Sequence, residues 1–325
     1  MLAFALAFSC FIAFTGAKQV CYDNGVGCFS NDPPFDNLPL PEDPDVIAPE
    51  FWLLRKGQPM RVVSNPNELN LNNMAVMSHG WAGSYNGSSW VPAIHNNLWE
   101  VVPTADVLFI NWERGAQLGS GKMIYHQPAS NVRVIAKMTA MWLQSRPDFD
   151  STKAHCIGFS LGAHVCGMTA KRMETKWGRI SAIDPAGPAF IKDDPVARVD
   201  RSDGILVDVM HVSWISLKRA FGHRDFYVND ANIQPGCTAR RRRSIIGDTF
   251  GCSHYRAAHL YAETILNNPN CVFKFCPCPS QEHFNKGHCR QCDDNSFQFL
   301  GYRSIERQNN GTFYGATTDK EPYCL

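Results

Sequence analysis

Residues 152–167 read TKAHCIGFSLGAHVCG, and residues 179–190 read RISAIDPAGPAF. At the centre of the first stretch, Gly158-Phe159-Ser160-Leu161-Gly162 is a G-x-S-x-G pattern, which can set a serine on a strained turn between a strand and a helix. The apolar run 154–157 leads into it, and the small residues Gly162, Ala163 and Gly167 follow, as a helix packed close against its own strand requires. The pentapeptide alone arises by chance in roughly one chain of this length in ten. Its meaning therefore rests on partners elsewhere in the chain.

Outward from that turn, apolar runs alternate with helical patterns. Residues 74–77, 107–110, 154–157, 179–183 and 205–211 read as buried strands. Residues 131–144 read as a helix with Val134, Ile135, Met138, Met141 and Trp142 facing inward. Strands interleaved with helices imply an α/β fold, a mainly parallel sheet with helices on both faces. No repeat or linker divides the chain, so residues 18–325 are expected to form a single domain, with an irregular arm rich in Pro and Asp between residues 31 and 49.

Residues 1–17 carry no charged side chain and end in Thr15-Gly16-Ala17, which reads as a signal peptide rather than a membrane span. The expected mature chain is secreted and extracellular. Of thirteen cysteines, Cys10 belongs to the leader, and an even number remains for an oxidising compartment. The sequons at Asn86 and Asn310 fit glycosylation on the same route. A net charge of +1 argues against wholesale nucleic-acid binding.

A serine nucleophile needs a base and an orienting acid, which in a doubly wound sheet come in the order Ser, Asp or Glu, His. Asp184 follows the apolar run 180–183 and opens the turn Asp184-Pro185-Ala186-Gly187-Pro188, where such a carboxylate is needed. Taken in isolation, an Asp at such a turn is more often a cap. Among six later histidines, His254 stands directly after Cys252-Ser253 and before an apolar helix at residues 257–266, so a disulfide and a helix together could fix its ring. The oxyanion of acyl transfer needs backbone N–H donors; Leu161, at the start of the helix after Ser160, and Trp81, in the loop His79-Gly80-Trp81, are the candidates.

These residues resemble the pancreatic lipase family of secreted glycerolipid lipases and phospholipases A1. The resemblance runs through VCYDNGVGCFS (20–30), SHGW (78–81), NWERG (111–115), GFSLGAHVCG (158–167), IDPAGPAF (183–190), DRSDGILVDVMH (200–211), GHRDFYVN (222–229), PGC (235–237) and CSH (252–254). It implies an α/β-hydrolase fold, the triad Ser160, Asp184 and His254, and Trp81 and Leu161 as oxyanion donors. No cofactor is required for such chemistry. The family can hold a structural Ca²⁺ after the acid loop, and Asp200, Asp203 and the carbonyl of Arg198 occupy the matching places, with Pro195 departing from the pattern.

The resemblance also pairs Cys21 with Cys28, Cys237 with Cys252 and Cys278 with Cys289. For the rest of the disulfide-rich C-terminal tail we expect Cys276–Cys292 and Cys271–Cys324, while Cys156 and Cys166 read as small buried thiols with a bridge between them left open. The Cys237–Cys252 pair would close a lid at residues 238–251, 14 residues long. In this family a short lid and a short loop at 211–223 accompany phospholipase A1 activity. Arg240-Arg241-Arg242-Arg243 beside Ile245 and Ile246 suit docking on anionic lipid, a solvated loop or a protease-sensitive site equally. Only 71 residues follow His254, so the C-terminal β-sandwich of some members, and a colipase-type helper, are not expected. The expected partner is lipid at a membrane or emulsion interface. The reading is a serine esterase of glycerolipids, phospholipase A1-type or mixed; the alternatives are a triacylglycerol lipase, and a non-catalytic lipid-binding or storage protein, which the filled triad positions disfavour. A serine peptidase is disfavoured by the lid.

Overall fold

The computed structural model describes residues 18–117, 124–237 and 247–325. The leader at residues 1–17 and residues 238–246 of the lid lie outside the described residues. The chain opens with the hairpin β1 (Gln19–Tyr22) and β2 (Gly27–Ser30), bridged by Cys21–Cys28. The arm after it carries the one-turn helix α1 (Pro44–Ile47), capped by Asp43 and begun by a proline that has no N–H to leave unpaired. Next come β3 (Glu50–Leu54), β4 (Arg61–Val62), β5 (Ala75–Ser78), α2 (Trp90–Val101), β6 (Val107–Asn111), the short α3 (Glu113–Ala116) and α4 (His126–Gln144). The central units follow: β7 (His155–Phe159), α5 (Leu161–Ala170), β8 (Trp177–Ile183), β9 (Gly204–His211) and β10 (Arg224–Val228). The chain closes with α6 (Gly247–Ile265), β11 (Lys274–Pro277), α7 (Gln281–Asn285), β12 (Gln298–Phe299) and β13 (Gly311–Gly315).

Eleven strands form one sheet in the order β12-β11-β13-β10-β9-β8-β7-β5-β6-β3-β4. From β6 to β13 every neighbouring pair is parallel, and antiparallel pairs occur only toward the two edges. Successive side chains of a strand point to opposite faces, and the apolar runs exploit this. Val76, Leu108, Ile110, Cys156 and Ile180 join a cluster with Val132, Ile135, Leu161 and Val165, the side of α4 and α5. Met77, Val107, Phe109, Ile157 and Ile183 join another with Trp90, Leu98, Leu260 and Tyr261, the side of α2 and α6. Both faces are thus covered, and the strands could be apolar at every position. The α/β-hydrolase architecture anticipated from the sequence is the one observed.

Two expectations need correction. Helix α4 begins at His126, five residues before its apolar periodicity starts, because Pro128 sits in a first turn that needs no N–H. Met138, Met141 and Trp142 are only half-buried, since the thin β1–β2 hairpin covers that flank; Trp142 stacks on Phe51 with centroids 4.2 Å apart. In their place the buried face holds Arg133, whose guanidinium donates to the carbonyls of Ser30 (2.6 Å) and Pro39 (3.1 Å) and pins the arm. The disulfide-rich tail is part of the sheet, for β13 extends it in register with β10, pairing Phe226 with Phe313. Burial of Phe226, Phe275 and Phe313 against one another carries that extension.

Candidate active site

The site lies at the carboxyl ends of β5, β7 and β8, where loops leave a parallel sheet and ligands bind. Ser160 joins β7 to α5 with φ 58° and ψ −121°, a backbone that non-glycine residues rarely adopt. The two glycines of the pentapeptide permit it by leaving space. A Cβ on Gly158 would stand 2.4 Å from the Gly162 carbonyl oxygen, and one on Gly162 would stand 2.1 Å from that of Ser78. Cys156 and Cys166 form a disulfide that ties β7 to α5 on both sides of Ser160. The reading of these two as small buried thiols is therefore corrected: α5 folds back along β7 and brings their Cα atoms to 5.9 Å. The remaining disulfides pair as expected, Cys237–Cys252, Cys271–Cys324, Cys276–Cys292 and Cys278–Cys289.

Asp184 follows β8 directly, is fully buried, and has φ 45°. Its Oδ1 accepts the N–H groups of Val212 (2.7 Å) and Ser213 (2.9 Å). Its Oδ2 accepts the Ser213 hydroxyl and lies 2.6 Å from His254 Nδ1. Both carboxylate oxygens are thus engaged by donors, and the His254 ring has its Nδ1–H committed to Asp184 and its Nε2 directed elsewhere. His254 sits inside α6, two residues after Cys252, rather than ahead of the helix as the sequence suggested. That helix starts before the disulfide, and Phe159 backs the imidazole at 4.5 Å between centroids. His254 is thus carried by a helix, while Ser160 and Asp184 stand at strand ends.

The loop after β5 completes the arrangement. His79 is fully buried; its Nε2 accepts the Trp112 N–H at 3.1 Å, so its Nδ1 is the protonated nitrogen, 2.9 Å from the Gly80 carbonyl. Trp112 Nε1 donates to the His79 carbonyl at 3.0 Å. Burial pushes the His79 ring down to about 4, so it remains neutral at physiological pH. This neutral histidine holds Gly80 against Ser160, where a Cβ on Gly80 would fall 3.0 Å from the Ser160 hydroxyl oxygen. Trp81 follows at once, and Leu161 is the first residue of α5, so its N–H has no acceptor within the helix. A groove of about 420 Å³ lined by Pro188, Ile191, Trp214, Ile215 and Leu217 opens beside Ala186, whose N–H points to the Ser160 carbonyl. Ile191 and Trp214 on its rim are exposed.

Several contributors gave no sequence signal. Ser213, just past β9, fastens the Asp184 carboxylate, and only its place after a strand end could have suggested it. Gln234, fully buried, donates to the carbonyls of Val212 (2.8 Å) and Val228 (3.1 Å), and its backbone N–H reaches the hydroxyl of Ser253, the residue before His254. Nothing in the local sequence marks that glutamine.

The residues expected to hold calcium do not fit it. The Arg198 carbonyl and both Asp203 carboxylate oxygens do converge, but on the ammonium of Lys171, at 2.9 Å and 2.5 Å. Asp200 faces the Arg198 guanidinium at 3.3 Å and caps the Ser202 N–H, so it offers nothing to the same point. No group of acidic, histidine or cysteine side chains arranged for a metal occurs among the described residues. Both sequon asparagines are exposed, and Asn310 also accepts from Arg224 Nε at 3.1 Å. No helix among the described residues is long and apolar enough to cross a membrane.

A family model described as Lipase matches residues 53–323. The chain is 32% identical over 262 residues to a putative endothelial lipase of Crotalus adamanteus, covering 75% of this chain and 52% of that protein. It is 29% identical to the lipoprotein lipase of Gallus gallus, covering 88% of this chain and 61% of that protein. To the lipoprotein lipase of Mus musculus it is also 29% identical, covering 80% and 58%. The chain thus spans between half and two thirds of the length of these relatives.

Proposed function

The chain belongs to the lipase family, and on that premise we propose that it is a carboxylic ester hydrolase that releases a fatty acid from glycerolipids through an acyl-enzyme on Ser160. The observation that carries this reading is the buried Asp184 carboxylate, 2.6 Å from His254 Nδ1, beside a serine on the strained turn after β7. In the first half-reaction His254 Nε2 takes the Ser160 proton as the oxygen attacks the ester carbonyl. The N–H groups of Leu161 and Trp81 receive the oxyanion. His254 then returns the proton to the leaving alcohol, and Asp184 holds the tautomer and stabilises the imidazolium. Water repeats the sequence against the acyl-enzyme and frees the acid. The chemistry uses no cofactor, and the apolar groove at Ile191 and Trp214 suits the acyl chain.

The finer substrate reading is phospholipase A1-type or mixed activity on lipid at a membrane or emulsion surface. It is supported by the short connection between β9, ending at His211, and His223, and by the short Cys237–Cys252 segment, which leave room for a polar head group. The rival reading is a triacylglycerol lipase. Six disulfides support a secreted route, with residues 18–325 as one catalytic unit and Asn86 and Asn310 as glycan acceptors. Fluorophosphonate labelling tests the chemistry: the folded wild type should label and Ser160→Ala should not. An unlabelled wild type would leave only the lipid-binding alternative. Assays on phosphatidylcholine and triolein then decide the substrate, and a preference for triolein sinks the phospholipase reading.

A further inference from the structure

Helix α5 begins at the nucleophile and ends beside a cation of its own. Lys171, the residue after Ala170, sends its ammonium under the segment 198–203, where it donates to the Arg198 carbonyl and to both oxygens of Asp203. Asp203 is 3% exposed, so its charge has no recourse to water. Asp203 Oδ2 also accepts the Asp200 N–H at 2.8 Å, closing a reciprocal cap around the turn 200–203. The same segment is held on α5 by two more contacts. The Val199 N–H donates to His164 Nδ1 at 3.2 Å, and a Cβ on Gly167 would stand 2.5 Å from Val199 Cα. Three successive turns of α5 therefore seat this segment, with the ammonium as the only cation reaching its converging oxygens among the described residues.

From this we infer that the Lys171 ammonium is the built-in cation of the 198–203 segment, standing where a divalent ion would otherwise sit and excluding it. A divalent ion bound through the Arg198 carbonyl and Asp203 would lie about 2.4 Å from those oxygens, the range of calcium–oxygen bonds. The Lys171 nitrogen already lies 2.5 Å from Asp203 Oδ1. The two cations compete for one point, and removal of water and repulsion between like charges bar both together. A tethered ammonium costs no binding entropy at the moment the segment docks and is insensitive to the free calcium concentration. The fold thereby becomes independent of calcium, and the oxygens that Lys171 holds become a divalent site only once it is gone.

The test compares wild type and Lys171→Ala, each stripped with EDTA and then titrated with CaCl₂, by thermal unfolding and by elemental analysis after desalting. Wild type should contain no stoichiometric calcium, and its Tm should be the same with EDTA and with millimolar calcium. Lys171→Ala in EDTA should unfold roughly 5–10 °C lower, because Asp203 is left buried without its partner. Calcium should return part of that loss and bind at one ion per chain, whereas Lys171→Arg should need none. Stoichiometric calcium in wild type, or a wild-type Tm lowered by EDTA, overturns the inference, and that measurement decides the matter even if Lys171→Ala fails to fold. A folded Lys171→Ala that calcium neither binds nor stabilises overturns it equally. None of these readouts depends on catalysis, so the result stands apart from the proposed activity.

Discussion

Gly80→Ala puts the proposed oxyanion loop to the most direct test. Gly80 does not lie in the left-handed backbone region, so its requirement is space alone. An added Cβ would fall 2.6 Å from Ser160 Cβ, 3.0 Å from its Oγ and 3.1 Å from the Phe159 carbonyl oxygen. Carbon atoms in contact need about 3.5–4 Å, so one partner must yield by about 1 Å. Ser160 is locked by its strained turn and by the glycines that flank it, so the loop at Gly80-Trp81 moves instead. A displacement of about 1 Å takes the Trp81 N–H out of reach of the oxyanion, and loss of one such donor costs on the order of 10²–10³ in kcat. Misplacement of the nucleophile adds a factor of up to about 10². We expect kcat/KM on a soluble p-nitrophenyl ester to fall by at least about 10³, while the overpacking costs only about 1–3 kcal/mol of stability. Gly87→Ala is the control, since its Cβ would meet only the Ser84 hydroxyl, at 3.0 Å. If folded Gly80→Ala keeps more than about a tenth of the wild-type rate, the loop is not part of the catalytic machinery as argued.

Asp184→Asn should lower kcat by about 10⁴ through loss of the correct tautomer, whereas Ser213→Ala, which leaves the carboxylate its two N–H donors and His254, should lower it by only about tenfold. Equal losses in the two variants would contradict the view of Ser213 as a positioning residue. Acid should destabilise the fold through His79 and His164, which burial pushes down to about 4 and about 3. The sign follows from folded values below the unfolded 6.5: their contribution is complete above pH 6.5 and falls as pH drops toward the folded values. At pH 4.5 the two together should have cost roughly 5 kcal/mol, and urea unfolding that is flat from pH 7 to 4.5 would refute this. Replacing Cys156 and Cys166 together by Ala should remove about 3 kcal/mol from the unfolding free energy while fluorophosphonate still labels Ser160. Lost labelling in a folded variant would make the bridge part of the site's geometry rather than its support.

The elements that were legible in the sequence share one physical property, that their chemistry is local. The glycines at 158 and 162 must be adjacent in sequence to Ser160 to leave it room, so the turn announced itself. The central strands were legible because burial on both faces demands apolar side chains at every position. Asp184 stood out because it directly follows its strand, whereas the pairings Cys21–Cys28 and Cys237–Cys252 came from the family resemblance and not from the residues themselves. Interactions between segments far apart in sequence left no such trace. The start of α4 was hidden by a polar first turn, and the tail's place in the sheet depends on Phe226 meeting Phe313, residues 87 positions apart. Ser213 and Gln234 matter only because β9 and β10 bring their loops to Asp184 and His254. Asp200 and Asp203 offered oxygens of the right kind for calcium, and nothing in the sequence alone reveals the lysine that reaches Asp203 from another element. Residue type and spacing determine which groups are present and how the backbone turns at Ser160. Which charge faces which, and therefore whether Asp203 meets calcium or an ammonium, depends on the packing of α5 against the segment 198–203, a contact that exists only once the chain has folded.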